Sequence, residues 1–334
     1  MSRPSTPRQP LIETLESRLM LAVTAVVSGA DLQIVGDEFD NSVIIAKAGN
    51  RYTLLGDVTG DFDAPGRLII NMGGGSDMVQ LQDVLVGNDN TGRLADVLAD
   101  MGSGNDTLSF MHVQARNVMV TAGDGMNNIG VLPNGGQGSV ISGLLSYVGG
   151  SGSDSVMVSE STVGRVAFAA GDDVGAVHII SGSTVGPILY EGGSGVDQMN
   201  INEASAGAVT ARMGGGNNVL AISLGQAGKV NFWAEGGDDT VSIYGSACGA
   251  TFLSLGEGTN DVGIFQSNDG SETPSSISGN LQILGGASDD IIAMGAVAIA
   301  GSVKALLGDG SNQLAMVEED AGSTNVGKPD RGHG

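Results

Sequence analysis

The chain of 334 residues has little cysteine, few aromatic residues and few bases. A single cysteine, Cys248, excludes an internal disulfide, and because no histidine lies near it in sequence we interpret it as a small buried residue. Aromatic residues make up only 4% of the chain, so a core built on large rings is not expected. With 14 bases against 37 acids the net charge is −23, which disfavours nucleic acids and anionic lipids as partners and leaves divalent cations as natural ones.

Long apolar runs are also missing. The run from Leu19 to Val27 is too short to cross a bilayer, so no transmembrane helix is predicted. Basic residues precede this apolar run, as they do in a secretory signal peptide, although acidic residues lie where the apolar stretch of such a signal should start. The adjoining "LESRLML", residues 15–21, resembles the LEPR-XLL motif of exported surface repeat proteins, notably of planctomycete bacteria, and departs from it at Ser17 and Met20. The resemblance implies a secreted or cell-surface protein; the alternative is a short amphipathic helix without a special role.

Glycine, by contrast, is abundant at 56 residues, and it marks an internal repeat. The phrase G-x-G-x-[DN]-x-U-x-U, where U is apolar, recurs eleven times with single lapses, mostly 21 or 22 residues apart. Repeats of this length are typical of solenoids. The phrase begins at Gly73, Gly102, Gly123, Gly150, Gly171, Gly193, Gly214, Glu235, Gly256, Gly285 and Gly308.

Each repeat contains two runs of alternating apolar residues, one after the glycines and one before them. Examples are Val156/Val158 in the first run and Val166/Phe168 in the second. An alternation of period two is the signature of a strand with one buried face. A single unit cannot bury its own apolar face, so we predict an all-β, right-handed parallel β-helix or flattened β-roll of about eleven coils, roughly 50 Å long.

The pattern divides the chain into four segments. We predict an export segment at residues 1–22, an N-terminal β cap at 23–65, the solenoid at 66–316 and a polar, disordered tail at 317–334. Three longer intervals carry insertions near residues 87–93, 133–138 and 267–276, which we interpret as surface loops; the alternative is a binding edge.

The fifth position of the phrase forms a column of acids and amides. It reads Asp77, Asp106, Asn127, Asp154, Gly175, Asp197, Asn218, Asp239, Asn260, Asp289 and Asn312. Stacking would place these side chains about 5 Å apart. A pure aspartate column would repel itself, whereas asparagine amides can donate to the carboxylates above and below. We therefore predict an ion-free ladder with Asn-to-Asp contacts.

The same phrase resembles the nonapeptide of the repeats-in-toxin family, best at "GGSGSDSVM" (149–157) and "GGSGVDQMN" (192–200). That resemblance implies bound calcium, with carboxylate ligands at Asp77, Asp106, Asp154, Asp197, Asp239 and Asp289. The chain departs from the family because the phrase occupies one corner per repeat and several positions are Asn. Since Ca²⁺ prefers six to eight oxygen ligands including several carboxylates, calcium is the alternative to the ladder.

No pattern of catalytic residues stands out. His112, His178 and His333 lack metal-ligand spacing, and neither a nucleophile elbow nor a phosphate loop occurs. We therefore predict no catalytic residues and no cofactor other than calcium. The expected function is a non-enzymatic, exported structural or adhesive protein whose partners are cell-surface or matrix components. The further alternative is a β-helix carbohydrate enzyme, which an acid–base cluster around Trp233 or the insertions would favour; Trp233 is expected to point outward, where it can stack on a sugar.

Overall fold

The computed structural model describes residues 22–88 and 90–317. This part of the chain is all-β and forms the predicted parallel solenoid, in which each strand pairs with its equivalents in the coils before and after it. No described helix is long and apolar enough to cross a membrane. Most coils have three faces rather than the two predicted, and we call them faces A, B and C.

Face A contains the strands that follow the glycine phrase. Their apolar side chains alternate inward, and Val158, Ile179 and Ile201 are register partners on successive coils, as stacking requires. The face A strands are Ser42–Ala48, Met78–Leu85, Thr107–Ala115, Asn127–Leu132, Asp154–Ser159, Gly175–Ile180, Asp197–Asn202, Val219–Ser223, Thr240–Tyr244, Asp261–Phe265, Ile291–Gly295 and Gln313–Val317.

Face C contains the strands that precede the glycine phrase. They stack in parallel in the same way, from Asp31–Val35 at one end to Val303–Leu306 at the other. The face C strands are Asp31–Val35, Leu68–Asn71, Val97–Asp100, Val118–Gly123, Val140–Gly149, Thr162–Ala169, Ile188–Glu191, Val209–Gly214, Val230–Ala234, Thr251–Ser254, Leu281–Leu284 and Val303–Leu306.

Face B is a narrow column between faces A and C that the sequence patterns did not predict. In the early coils the ends of longer strands form it, for example Ala115 paired with Ile141. In later coils it consists of separate strands only two or three residues long, too short to show an alternation. These are Thr184–Val185, Ser205–Ala206, Gln226–Ala227, Ala247–Cys248, Ser275–Ile277 and Val297–Ile299.

The solenoid begins at Asp31, not at residue 66. Asp31–Val35 and Ser42–Ala48 pair in parallel with the next coil, so the predicted cap contains a complete coil of its own. The rest of the region is the expected covering: Thr24–Ser28, Arg51–Gly56 and Gly60–Asp63 add antiparallel strands to that first coil. The predicted export segment and polar tail lie outside the described residues, apart from Ala22 and Val317.

The core is one continuous column of side chains. A stack of rings from Tyr147, Phe168 and Tyr190 runs through its middle, with centroids 4.9 and 5.0 Å apart. Almost all inward positions predicted for the two runs are buried. These three aromatic residues thus fill successive levels of the core.

The C-terminal coils differ from the sequence prediction in two ways. In the strand Ile291–Gly295 the inward residues are Ile292 and Met294, because the phrase there starts at the second of two adjacent glycines. In the last described strand Leu314 and Met316 are 51% and 50% exposed, since no further coil among the described residues covers them.

The three insertions lie between the face A and face C strands, as predicted: the first follows the face B residues Val84 and Leu85, and the other two lie between faces A and B. The first forms a small hairpin in which Gly87–Asn88 pairs with Arg93–Leu94. The second is closed by a bridge between Asn134 and Gln137.

Candidate functional site

The predicted column of acids and amides lies at the corner where face C turns into face A. We call it the inner ladder. All of its side chains except that of Asn312 are buried, with exposed fractions of 0 to 2%. The inner ladder contains Asn41, Asp77, Asp106, Asn127, Asp154, Asp197, Asn218, Asp239, Asn260, Asp290 and Asn312, with Gly175 at one level.

One predicted member was wrong. Asp290, not Asp289, holds the inner position in its coil, and the side chain of Asp289 is exposed. Either Gly285 or Gly286 can open the phrase, and the choice of Gly285 shifted the column by one residue. A member before the first predicted repeat, Asn41, was missed because only the tertiary structure shows that its segment is a coil.

The main bond of the inner ladder joins a side chain to the backbone of the coil before it. The Oδ1 atom of Asp239 accepts the N–H of Asn218 at 2.8 Å, and Oδ1 of Asn260 accepts the N–H of Asp239 at 3.0 Å. The same arrangement links Asn41 to Asp77 and Asp77 to Asp106, each at 2.8 Å. Because Asp and Asn both have Oδ1, either residue can make this bond, and each bond fixes the spacing of two coils.

The second side-chain atom distinguishes the two residue types. The amide of Asn218 donates to the carbonyls of Gly215 and Gly216 in its own turn, at 3.3 and 3.0 Å. The equivalent Oδ2 atom of every inner-ladder aspartate is buried without a hydrogen-bond partner. An ionised carboxylate cannot donate to turn carbonyls, whereas a protonated one can.

Burial raises the pKa values of five inner-ladder carboxyl groups. Desolvation is the main cause that raises the pKa of Asp77 to about 7 and those of Asp197 and Asp239 to about 6. It also raises the pKa values of Asp106 and Asp154. These five aspartates therefore resemble asparagine most closely in mildly acidic solution, where they are protonated.

The predicted direct Asn-to-Asp contacts occur at two levels. The amide of Asn127 donates to Oδ1 of Asp154 at 3.0 Å, and that of Asn260 donates to Oδ1 of Asp290 at 2.8 Å. Elsewhere the amide bonds its own turn. The alternation of Asp and Asn is thus only partly explained by amide-to-carboxylate contacts.

Gly175 interrupts the inner ladder because a tyrosine hydroxyl takes its place. The hydroxyl of Tyr190 donates to Oδ1 of Asp197 at 2.8 Å, and the N–H of Gly175 donates to the same oxygen at 3.0 Å. A Cβ atom on Gly175 would overlap with the Tyr190 hydroxyl and with Cβ of Ala170. Packing therefore requires a glycine at position 175.

In several coils a second ladder, the outer ladder, runs beside the first, one residue earlier in the repeat and closer to solvent. Here the side chain accepts a backbone N–H from the following coil: Asn217 accepts from Asp238 at 2.9 Å, and Asp238 accepts from Thr259 at 2.8 Å. Asp289, the residue displaced from the inner ladder, belongs here and accepts from Ser311 at 2.6 Å. The two ladders thus bond in opposite directions along the rod.

Buried serines form a third ladder, at the corner between faces A and B. Ser183 Oγ donates to carbonyl oxygens of Val158 and Ile180, at 3.1 and 2.6 Å, and accepts the N–H of Ser161 at 3.4 Å. Ser139, Ser246 and Ser275 occupy equivalent positions. A serine that recurs just before the short strands of face B could have indicated this ladder in the sequence. The pattern is interrupted at two levels, where Ala204 and Gly225 replace the serine.

The residues predicted as calcium ligands lie one per coil along the glycine corner. Five of them are inner-ladder members: Asp77, Asp106, Asp154, Asp197 and Asp239. The sixth, Asp289, belongs to the second, outer ladder. Within residues 22–88 and 90–317, no three acidic, histidine or cysteine side chains group in a way that could hold a metal ion. The unpartnered Oδ2 atoms are the donors that the corner could offer a cation.

The remaining candidate residues are dispersed. His112 Nδ1 lies 2.8 Å from Asp83 Oδ1, and His178 is partly buried beside Asn200, with a pKa lowered by desolvation. Burial raises the pKa of the Cys248 thiol to about 12, as expected for a packed residue. His333 lies outside the described residues.

Trp233 points outward from face C, as predicted, and is partly exposed. Its ring lies 5.6 Å from that of Phe252, and the guanidinium of Arg212 lies 5.7 Å from its centroid on the neighbouring coil. A shallow cleft on one side of Trp233 is lined by Glu191, Arg212 and Glu235. A second cleft, on the side of Phe252, has a volume of about 430 Å³.

No protein-family model, no curated protein and no solved structure matches this chain.

Proposed function

We propose that the protein is a non-enzymatic, exported β-solenoid that acts as a structural or adhesive element at the cell surface or in the extracellular matrix. The observation that carries the proposal is the use of the glycine corner: the Oδ1 atoms of its buried acids and amides bond the backbone of neighbouring coils. The most repeated feature of the sequence therefore has a mechanical role. Residues projecting from the long faces remain to contact partners.

Export is supported by the resemblance of residues 15–21 to the LEPR-XLL motif and by the acidic composition. The test is to express the full chain and a variant lacking residues 1–22 in a bacterium with related surface proteins, and to fractionate the cells. We expect the full chain in the surface or medium fraction and the truncated one in the cytoplasm. Cytoplasmic recovery of both would contradict the proposal.

Calcium binding is the first alternative, and the buried Oδ2 atoms without a partner favour it. The ion-free ladder predicts that 1 mM Ca²⁺ changes the melting temperature no more than 1 mM Mg²⁺ does. A calcium site with a Kd of about 10 μM would add about 2.7 kcal/mol to the free energy of unfolding at 1 mM Ca²⁺. EDTA would remove this gain. A large calcium-specific shift would support the alternative.

A carbohydrate-active enzyme is the second alternative, and the cleft with Glu191, Arg212 and Glu235 beside Trp233 favours it. A carboxylic acid and a carboxylate are the usual pair in glycoside hydrolysis. The test incubates the protein with plant and algal polysaccharides and measures the release of reducing ends or unsaturated sugars. Release that is lost in both Glu191→Gln and Glu235→Gln would establish this alternative. Our proposal predicts no release.

A further inference from the structure

We propose that the second cleft beside Trp233, the aromatic cleft, binds an acidic oligosaccharide rich in uronic acids. It is lined chiefly by Lys229, Asn231, Trp233, Phe252, Asn280 and Gln282. The inference rests on the proposed adhesive function, for which it names the ligand, but its binding test does not depend on where the protein is located.

The first argument is the aromatic platform. Trp233 and Phe252 are outward residues on successive coils of face C, both partly exposed, with ring centroids 5.6 Å apart. Inward neighbours Phe232 and Leu253 are fully buried and anchor both strands in the core. A rigid pair of rings can pack against the C–H face of a sugar ring. Dispersion stabilises this contact, and so does the attraction between the partial positive charge on the sugar hydrogens and the negative faces of the aromatic rings.

The second argument is the polar lining. The side chains of Asn231, Asn280 and Gln282 supply amide donors and acceptors around the rings, the set that recognises sugar hydroxyls in either direction. Asn280 Oδ1 already accepts the N–H of Ser302 at 3.0 Å, which orients that amide and leaves its NH₂ group for a ligand. At about 430 Å³, the cleft lies in the size range of small-molecule sites.

The third argument is charge. In a chain with 37 acids and 14 bases, no acid lines the aromatic cleft, whereas the exposed ammonium of Lys229 does. Six of the seven bases between residues 66 and 316 lie on face C or within two residues of the start of its strands, and the seventh, Arg93, is in the adjacent hairpin. The six are Arg67, Arg116, Arg165, Arg212, Lys229 and Lys304. Arg67, Arg116 and Arg212 form ion pairs with acids, so Lys229 is the base that this cleft offers to a carboxylate-bearing ligand.

Trp233 is the only tryptophan, so a change in its fluorescence reports binding at either of the two clefts that it lines, and the variants below distinguish them. The test titrates the full chain with hexasaccharides of galacturonate, mannuronate and glucuronate, and with each after reduction of its carboxyl groups to alcohols. We expect saturable fluorescence change and calorimetric binding for at least one uronate. Its reduced form should bind at least about tenfold more weakly.

Two variants test the assignment against a matched control. We expect Phe252→Ala to weaken uronate binding at least about tenfold and Lys229→Gln to weaken it toward the affinity of the reduced sugar. Tyr244 and Phe265 form a comparable outward pair on face A, with centroids 5.9 Å apart, so Tyr244→Ala should leave binding unchanged. Melting curves check that each variant is folded.

Failure of all three uronates to bind the folded protein would overturn the inference and leave the structural function intact. Equal binding of native and reduced sugars would overturn the acidic specificity, and equal losses in the Phe252 and Tyr244 variants would overturn the location.

Discussion

At the residue scale, the glycine corner shows why Asp and Asn can replace one another. Both supply the Oδ1 atom that accepts a backbone N–H, as Asn218 and Asp239 do in adjacent coils. They differ in the buried second atom, which donates in Asn and is without a partner in Asp. The cost of burying an ionised carboxylate therefore falls only on the aspartate levels.

We predict that Asp239→Asn stabilises the protein at pH 7.5 by about 1–2 kcal/mol. The pKa of Asp239 is raised to about 6 in the folded state. The folded protein thus binds more protons than the unfolded chain between about pH 4 and 6, and stability declines as the pH rises through this window. Urea unfolding at pH 7.5 and pH 4 measures the effect, and the gain should shrink toward zero at pH 4.

The exposed neighbour Asp261 provides the control, since Asp261→Asn should change stability little at either pH. If Asp239 were a calcium ligand, its replacement would instead remove a calcium-dependent gain in stability, so loss of stability at pH 7.5 would count against the ladder.

At the scale of the structural element, the close stacking of turns determines where glycine is needed. Gly102 has a φ of +89°, and a Cβ atom there would overlap with the carbonyl oxygen of Gly73 in the coil before it. Gly92, in the first insertion, has a φ of +65° but no atom within 4 Å of an added Cβ. The two positions share the backbone conformation and differ in stacking.

We therefore predict that Gly102→Ala costs at least about 3 kcal/mol, whereas Gly92→Ala costs about 1 kcal/mol, the strain of a left-handed conformation alone. Chemical denaturation of both variants measures the difference. Similar losses at both positions would mean that backbone strain, not contact between coils, explains the glycine repeat.

At the scale of the whole molecule, the two ends of the rod are unequal. Antiparallel strands cover the first coil, where Tyr52 and Leu54 are fully buried. At the other end of the described chain, all of Gln313–Val317 is exposed, and within residues 22–88 and 90–317 it pairs with a neighbour on one side only. Stability in a solenoid depends on nearest-neighbour contacts, so the last coil has about half of those of an interior one.

We predict a gradient of hydrogen exchange along the rod. Amide protons of Gln313–Val317 should exchange fastest among the face A strands, those of Asp197–Asn202 slowest, and those of Ser42–Ala48 should remain protected because antiparallel partners cover them. Mass spectrometry of peptic fragments measures the order. Equal protection of the last strand and the interior strands would contradict it.

The sequence by itself determined the repeat, the strands of faces A and C and most of the polar column, because an apolar residue at every second position and glycines at the corner between faces C and A are local requirements that recur along the chain. It could not decide between Asp289 and Asp290, since either of two glycines fits the phrase. It also did not show that Asn41 belongs to a coil.

Only the tertiary structure decided which atoms meet. The short strands of face B and the serine ladder with Ser183 depend on bonds between residues more than 20 positions apart. The contact of Trp233 with Phe252 and the space that the Tyr190 hydroxyl fills at Gly175 also join segments that no local pattern connects. Such contacts depend on the exact length of each coil, which sets the register of neighbours, whereas burial of an alternating strand depends only on its own pattern.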